Sequence, residues 1–345
     1  MKLSILFGGA SFEHEISIVS AITVKAKLDN FELSFIFCDQ DHTFYLIEAS
    51  NMKANFFSSG KYKKSKSLTL TLGSFTNSSL FSSTTIDSTV LNLIHGGDGE
   101  DGSIASLLDF YKINYIGPRK EAAMFSFNKH YTKLYASSFG VKTLSHEFLT
   151  ITDKRDVKTS YPFIVKPTTL GSSIGVSIVK EESELNYALD VAFEFDNTVI
   201  IEPFINNVKE YNLAGFKANG KINYSIVEEP QKNEFLDFDK KYLDFSRSQQ
   251  VSEAELSTEM IEKLQDTFSK IYNTTFEGSL IRCDFFIIEN EIYLNEINPI
   301  PGSMANYLFS DFKISLTTLF NSLPTKSYPS VSYQYINSIS SAKGK

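Results

Sequence analysis

The chain reads as an α/β protein, and three observations carry that reading. Short apolar runs such as Leu3–Phe7 and Val90–Ile94 stop at glycine-rich segments, as buried parallel strands do when a tight turn follows. Between them, residues 15–29 set Ile16, Val19, Ile22 and Ala26 at near-helical spacing. The strand–helix–strand alternation implies a parallel sheet with a crevice at its strand ends.

Element by element, Phe31–Cys38 and Phe44–Ile47 read as further strands. Residues 50–88 are rich in Ser, Thr, Lys and Asn and include the Lys61–Lys66 basic cluster. That composition predicts a solvated, weakly structured insert. Phe163–Lys166 and Val176–Val179 are short strands around a loop holding Gly171-Ser172-Ser173 and Gly175. Glu184–Phe195 is an amphipathic helix through Leu185, Leu189, Ala192 and Phe193. Val199–Ile201 is a strand closed by Glu202-Pro203, and Glu210–Phe216 and Lys221–Val227 follow as two more. Residues 234–250 fit neither period, and a loop of that length in a compact domain predicts a lid. Met260, Ile261, Leu264, Phe268 and Ile271 mark a helix. Arg282–Ile288 and Ile292–Ile297 are strands, and beyond residue 325 a polar, frayed tail is expected.

Composition narrows the function. At about 150 residues per domain, 345 residues make two or three domains. With 33 Lys and Arg against 41 Asp and Glu, the net charge of −8 argues against a nucleic-acid partner. Two cysteines, Cys38 and Cys283, exclude a disulfide scaffold and fit a reducing compartment. No signal peptide is visible, and no apolar run approaches the ~20 residues that span a bilayer. A cytoplasmic enzyme is the expectation, with neither membrane nor nucleic acid as partner.

The strongest local signal is the pair Arg282-Cys283-Asp284 and Glu296-Ile297-Asn298. A three-residue loop at Glu289-Asn290-Glu291 would set Asp284 opposite Glu296 and Arg282 opposite Asn298, all four on one face. Two facing carboxylates repel unless a cation sits between them, and an oxygen-only ligand set suits Mg²⁺. Geometry alone leaves a second reading open, a polar face on which Arg282 neutralises both acids. The Gly171–Gly175 turn offers backbone N–H groups to phosphate oxygens, with Lys166 adding a point charge. Neither a Walker loop nor a complete GxGxxG is present.

Together these segments resemble one family. Gly8-Gly9-Ala10-Ser11-Phe12-Glu13-His14-Glu15-Ile16-Ser17 and His95-Gly96-Gly97-Asp98-Gly99-Glu100-Asp101-Gly102 resemble the N-terminal signatures of D-alanine–D-alanine ligases. Lys166-Pro167, Gly171–Val176, Lys241-Tyr242, Arg282–Asp284 and Asn295–Gly302 continue the match, in order, over roughly residues 3–320. The resemblance implies an α/β, α+β ATP-grasp ligase: an N-terminal parallel-sheet domain (1–118) and a two-domain ATP-grasp unit. That unit would divide into a central part (119–203) and a C-terminal part (204–325) with metal site and lid, before the 326–345 tail.

The resemblance also implies a chemistry. Two D-alanines would be joined through an acyl phosphate, with ATP and two Mg²⁺ or Mn²⁺ ions, in a homodimer that serves cell-wall precursor synthesis. Asp284, Glu296 and Asn298 match the metal ligands. Lys129 and Lys166 match the phosphate lysines, Ser172 and Ser173 the phosphate loop, and Glu202, Ile205 and Glu210 the adenine and ribose contacts. Lys241 and Asn295 complete the ATP set. Glu13 matches the carboxylate on the first D-alanine's ammonium and shares a trio with Ser172 and Tyr242. Arg282 and the Gly302 N–H match the oxyanion donors. His95, Tyr307 and Leu308 fall on the substrate side, with Tyr307 where many members have a serine. Tyr242 marks the dipeptide-forming type, a phenylalanine there going with ester formation. Rival readings are another ATP-grasp carboxylate–amine ligase and a nucleotide-binding regulator without turnover.

Overall fold

The structure, a computed structural model, describes residues 1–78, 83–230 and 251–342. The segment expected to form a lid, with Lys241 and Tyr242, lies outside the described residues. Three sheets organise the rest.

The first sheet comprises β1 (Lys2–Gly8), β2 (Glu32–Cys38), β3 (Phe44–Ile47), β4 (Lys66–Thr71), β5 (Ser74–Ser78), β6 (Ser83–Ile86), β7 (Thr89–Asn92) and β8 (Tyr115–Ile116). Their order is β6-β5-β4-β3-β2-β1-β7-β8. The expected parallel core is present, since β1 runs parallel to β2 and β7, and β7 to β8. Leu3, Ile5, Leu6 and Phe7 are all buried because both faces of β1 are covered. The helix His14–Lys25 buries Ile16, Ile18, Ala21 and Val24.

The expectation of a weakly structured insert fails for the described part of 50–88. It forms a short helix, Ala54–Ser58, and three antiparallel strands that extend the sheet. Sparse apolar residues do this work: Phe57, Leu68, Phe75 and Ile86 are buried while Ser67, Thr69, Thr71, Ser83 and Thr85 between them face solvent. Half-exposed edge strands need only every second residue apolar, so the polar composition misled. The glycine-rich stretch after β7 also holds two helices, Gly97–Glu100 and Ser103–Phe110. Gly99 cannot carry a side chain there, because a Cβ would lie 1.7 Å from the Ile94 carbonyl oxygen. In the tail, Gln334–Ala342 is helical and buries none of its residues, while Lys326 pairs with Asp109.

The second sheet is β9 (Glu147–Thr150), β10 (Phe163–Pro167), β11 (Ser177–Val179) and β12 (Thr198–Pro203), antiparallel in the order β11-β10-β12-β9. The helix Glu182–Phe193 packs on it through Leu185, Ala188, Leu189 and Ala192. The third sheet is β13 (Lys209–Ala218), β14 (Lys221–Glu228), β15 (Leu280–Ile288) and β16 (Glu291–Asn298), antiparallel in the order β14-β13-β15-β16. The helix Thr258–Thr275 starts with Ser257 accepting the Met260 N–H, as an N-cap should. It sets Leu264, Phe268, Ile271 and Tyr272 against Leu213, Cys283, Phe285 and Ile297. Since Leu213, Cys283 and Ile297 face that helix, Asn212, Asp284 and Glu296 face the other way.

The β15–β16 turn differs from the expected one. It has two residues, Glu289 (φ 50°) and Asn290 (φ 64°), both left-handed, as tight hairpins prefer. A bulge at Asn295 then restores the register, so Phe285 faces Leu294 but Asp284 still faces Glu296. Two deviations cancel, and the facing pair stands.

Candidate active site

The third sheet carries one row of polar side chains across all four strands. Glu228 on β14 pairs with Asn212 on β13, Asn212 with Asp284 on β15, and Asp284 with Glu296 on β16. One step along, on the same face, Ala214 pairs with Arg282 and Arg282 with Asn298. Arg282 grips Asp284 with both arms, Nε to Oδ1 at 2.7 Å and Nη2 to Oδ2 at 2.8 Å. Its Nη1 donates to the Tyr307 hydroxyl at 3.1 Å, and Asn298 Nδ2 donates to Asp284 Oδ2 at 3.0 Å. Burial pushes the Asp284 carboxyl up to about 6, with Glu296 adding to the rise, even though Arg282 pulls the other way.

The first sheet brings Glu13 to the same region. It directly precedes the helix His14–Lys25, is buried, and accepts from Ser172 Oγ at 2.8 Å. Burial raises its carboxyl, against the hydrogen bond from Ser172 and the charge of Lys129. Ser172 and Ser173 adopt left-handed φ values of 55° and 59°, which turns the Gly171–Gly175 loop back over Glu13. A Cβ on Gly171 would stand 2.9 Å from Glu13 Oε1, so a larger residue there would make that carboxylate shift. Two members of the expected trio therefore meet. The third, Tyr242, lies outside the described residues.

The lysines converge from two elements. Lys129 opens the helix Lys129–Ser138, capped by Asn128, and donates to the Leu170 carbonyl. Burial depresses its ammonium, while Glu296 and Glu13 resist that fall. Lys166 on β10 lies 2.7 Å from Glu202 Oε2 on the adjacent strand β12, a diagonal contact, since Lys166 itself pairs with Ile200 and Glu202 with Ile164. Burial would raise the Glu202 carboxyl, but Lys166 and Lys133 on either side hold it down at about 2. Glu210 on β13 lies close enough to help hold the Lys166 ammonium charged. Ile205 is half-buried just past β12, and Asn295 is the bulge residue beside Glu296.

Behind the site, Gly302 begins a buried turn, Gly302–Leu308, whose Ser303, Met304 and Ala305 all have left-handed φ. Ser20 Oγ accepts the Ser303 N–H at 3.0 Å and holds that turn to the first helix. Tyr307 and Leu308 are buried at its end. His95 is buried too. Its Nδ1 lies 2.8 Å from the Leu93 carbonyl oxygen, and burial lowers its imidazole to about 4. It is a neutral group behind the site.

Sequence reasoning gave no role to Lys133, Glu100, Asn212 or Glu228. Lys133 sits one turn after Lys129 (i, i+4) on an inward stripe, which is the one signal that could have found it. Glu100 is a half-buried acid, raised well above its usual range first by desolvation and then by Glu13. Asn212 Nδ2 donates to Glu228 Oε2 at 3.2 Å, and nothing in either local sequence marks the pair.

The sequence patterns of two family halves match this chain: "D-ala D-ala ligase N-terminus" over residues 2–118 and "D-ala D-ala ligase C-terminus" over residues 138–322. The chain belongs to the D-alanine–D-alanine ligase family. It is 65% identical over its whole length to the D-alanine–D-alanine ligase of Sulfurimonas denitrificans, covering all of that chain. It is 57% identical to that of Campylobacter concisus, again over its full length and 99% of the relative. The crystal structure of the Helicobacter pylori D-alanine–D-alanine ligase superposes with a TM-score of 0.85 at 50% identity, over 95% of this chain and all of that one. The three sheets are accordingly those of an ATP-grasp ligase.

The donor set fits the metal this family implies. Among the described residues no three His, Cys, Asp or Glu side chains gather into a cage. The Asp284 and Glu296 carboxylates and the Asn298 amide instead form an oxygen-only set on one sheet face, which suits a hard divalent ion sharing its shell with phosphate.

Proposed function

We propose that this chain joins two D-alanines into D-alanyl-D-alanine at the expense of ATP, for peptidoglycan precursor synthesis. The observation that carries the reading is the convergence of Glu13, Ser172, Lys129, Lys166 and the Arg282–Asp284–Asn298 cluster from three sheets in a chain of this family. In the first step a D-alanine carboxylate oxygen takes the γ-phosphoryl group of ATP and ADP leaves. In the second, the amine of another D-alanine attacks the acyl phosphate and inorganic phosphate departs.

The chain's residues suit these steps. Glu13 offers a buried carboxylate to the first substrate's ammonium. Lys129 and Lys166 would neutralise phosphate oxygens, and the Gly171–Gly175 loop would cover them. Glu202, Ile205 and Glu210 would hold the base and ribose, with Asn295 and Lys241 completing the nucleotide site. Asp284, Glu296 and Asn298 would hold two Mg²⁺ or Mn²⁺ ions, which supply charge stabilisation at the transferring phosphoryl group. Arg282, held rigid by Asp284 and Tyr307, and the Gly302 N–H would donate to the oxyanion of the tetrahedral intermediate. Tyr307 and Leu308 would meet the second substrate, with His95 behind, and Tyr242 would favour the amine acceptor over a hydroxy acid. We place the domain boundaries near residues 118, 203 and 325, and a homodimer in the cytoplasm as the working form.

Phosphate release from ATP and Mg²⁺ across a panel of D- and L-amino acids tests the reading. Turnover with D-alanine and none with L-alanine is expected. Turnover confined to L-amino acids would sink it.

A further inference from the structure

The Glu202 carboxylate has a lysine ammonium on each side. Lys166 Nζ lies 2.7 Å from Oε2, and Lys133 Nζ meets Oε1. The two lysines are not equivalent. Lys166 ends a strand, keeps 15% of its side chain exposed, and feels Glu296 and Glu210 on the phosphate side. Lys133 is 3% exposed, stands on a helix, and also donates to the Leu144 carbonyl at 3.3 Å, which ties it to the scaffold. Glu202 itself is 2% exposed.

This asymmetry has a consequence once a nucleotide enters. A phosphate group competes with Glu202 for the Lys166 ammonium, because the same charge cannot be fully shared between two anions. A carboxylate this deeply buried would then have no counter-ion, and would take up a proton or turn away, unless a second cation stays behind. Lys133 is placed to be that cation.

We infer that Lys133 is a positioning residue for the nucleotide: it keeps Glu202 anionic and aimed when Lys166 turns to phosphate, so that Glu202 selects a base edge bearing an N–H donor. An anionic acceptor favours the exocyclic amine of adenine and repels the carbonyl at the same place in guanine or hypoxanthine. The inference rests on the proposed placement of the base beside Glu202.

The test compares the full-length wild type with Lys133→Met and Lys133→Arg. Isothermal titration calorimetry measures ADP and GDP binding with Mg²⁺ present, and initial rates separate KM for ATP from kcat. Lys133→Met should weaken ADP binding about tenfold or more, as expected for an uncompensated buried charge. It should narrow the ADP-to-GDP preference, and raise KM for ATP while kcat at saturating ATP stays within about threefold. Lys133→Arg keeps the charge and should recover most of the affinity and the preference. An unchanged ADP affinity and base preference in a folded Lys133→Met would overturn the inference. So would equal losses in both variants, or a fall in kcat alone. If Lys133→Met does not fold, Lys133→Arg decides through its ADP-to-GDP ratio, which should stay near that of the wild type. A wild type that binds GDP as well as ADP, or fails to turn over D-alanine, would instead count against the placement of the base or the proposed reaction.

Discussion

At the scale of single residues, the site is governed by burial of charge. Asp284 is 2% exposed and is held by Arg282 and Asn298, so removing its charge strips Arg282 of its anchor and the proposed metal of a ligand. Asp284→Asn should keep wild-type circular dichroism but fall to roughly 1% or less of wild-type turnover, since several kcal/mol of charge stabilisation is at stake. Near-wild-type turnover at saturating Mg²⁺ would refute the metal assignment. His95 makes a different prediction, about pH. Its folded value of about 4 lies below the ~6.5 of an unfolded histidine, so the unfolded chain binds the extra proton between those limits. The stability His95 contributes is therefore complete above about pH 6.5 and lost as pH falls towards 4, up to about 3 kcal/mol. Replacing it with asparagine, which keeps the hydrogen bond to Leu93, should flatten the pH dependence over that window. Urea titrations of both proteins at pH 4.5 and pH 7 measure the difference, and an unchanged pH dependence would contradict it.

At the scale of elements, the Ser- and Thr-rich strands β4 to β6 are part of the first sheet rather than a solvated insert. Phe75 on β5 is 1% exposed and meets the Phe44 ring edge-on at 5.3 Å. Phe75→Ala should cost about 3–5 kcal/mol of stability, as truncation of a packed core aromatic does. The chain has no tryptophan, so denaturation followed by circular dichroism is the suitable readout. A cost below about 0.5 kcal/mol, typical of surface positions, would mean that the strand is not packed as described. The β15–β16 hairpin shows a related lesson. Its turn and its bulge were both illegible in the alternation of residues, because Glu289-Asn290-Glu291 supports a two- or a three-residue loop equally well. What was legible was the pairing that matters for chemistry, Asp284 with Glu296, because polar side chains must share the face away from the packed helix.

At the scale of the whole molecule, the hydrogen bond from Ser172 to Glu13 spans 159 positions and joins the loop after β10 to the first sheet. Ser172→Ala would leave a buried carboxylate oxygen without that donor, at about 1–1.5 kcal/mol. Because Glu13 is proposed to bind the first substrate, the loss should show as a roughly five- to tenfold rise in KM for D-alanine. Initial-rate kinetics at saturating ATP would read it, and an unchanged KM would separate the loop from substrate binding.

The sequence by itself determined the fold class and the family, and it named most of the residues proposed for the site. Glycine turns after apolar strands, the facing acids of the last hairpin and the ordered motifs are local patterns, set by backbone geometry within a few residues. Only the tertiary structure decided that Lys133 turns inward to Glu202, that His95 is buried, that Glu228 and Asn212 complete the polar row, and that Tyr307 meets Arg282. Those facts depend on which elements pack together, and the desolvation that makes a lysine a counter-ion or a histidine neutral arises only when distant segments exclude water from it.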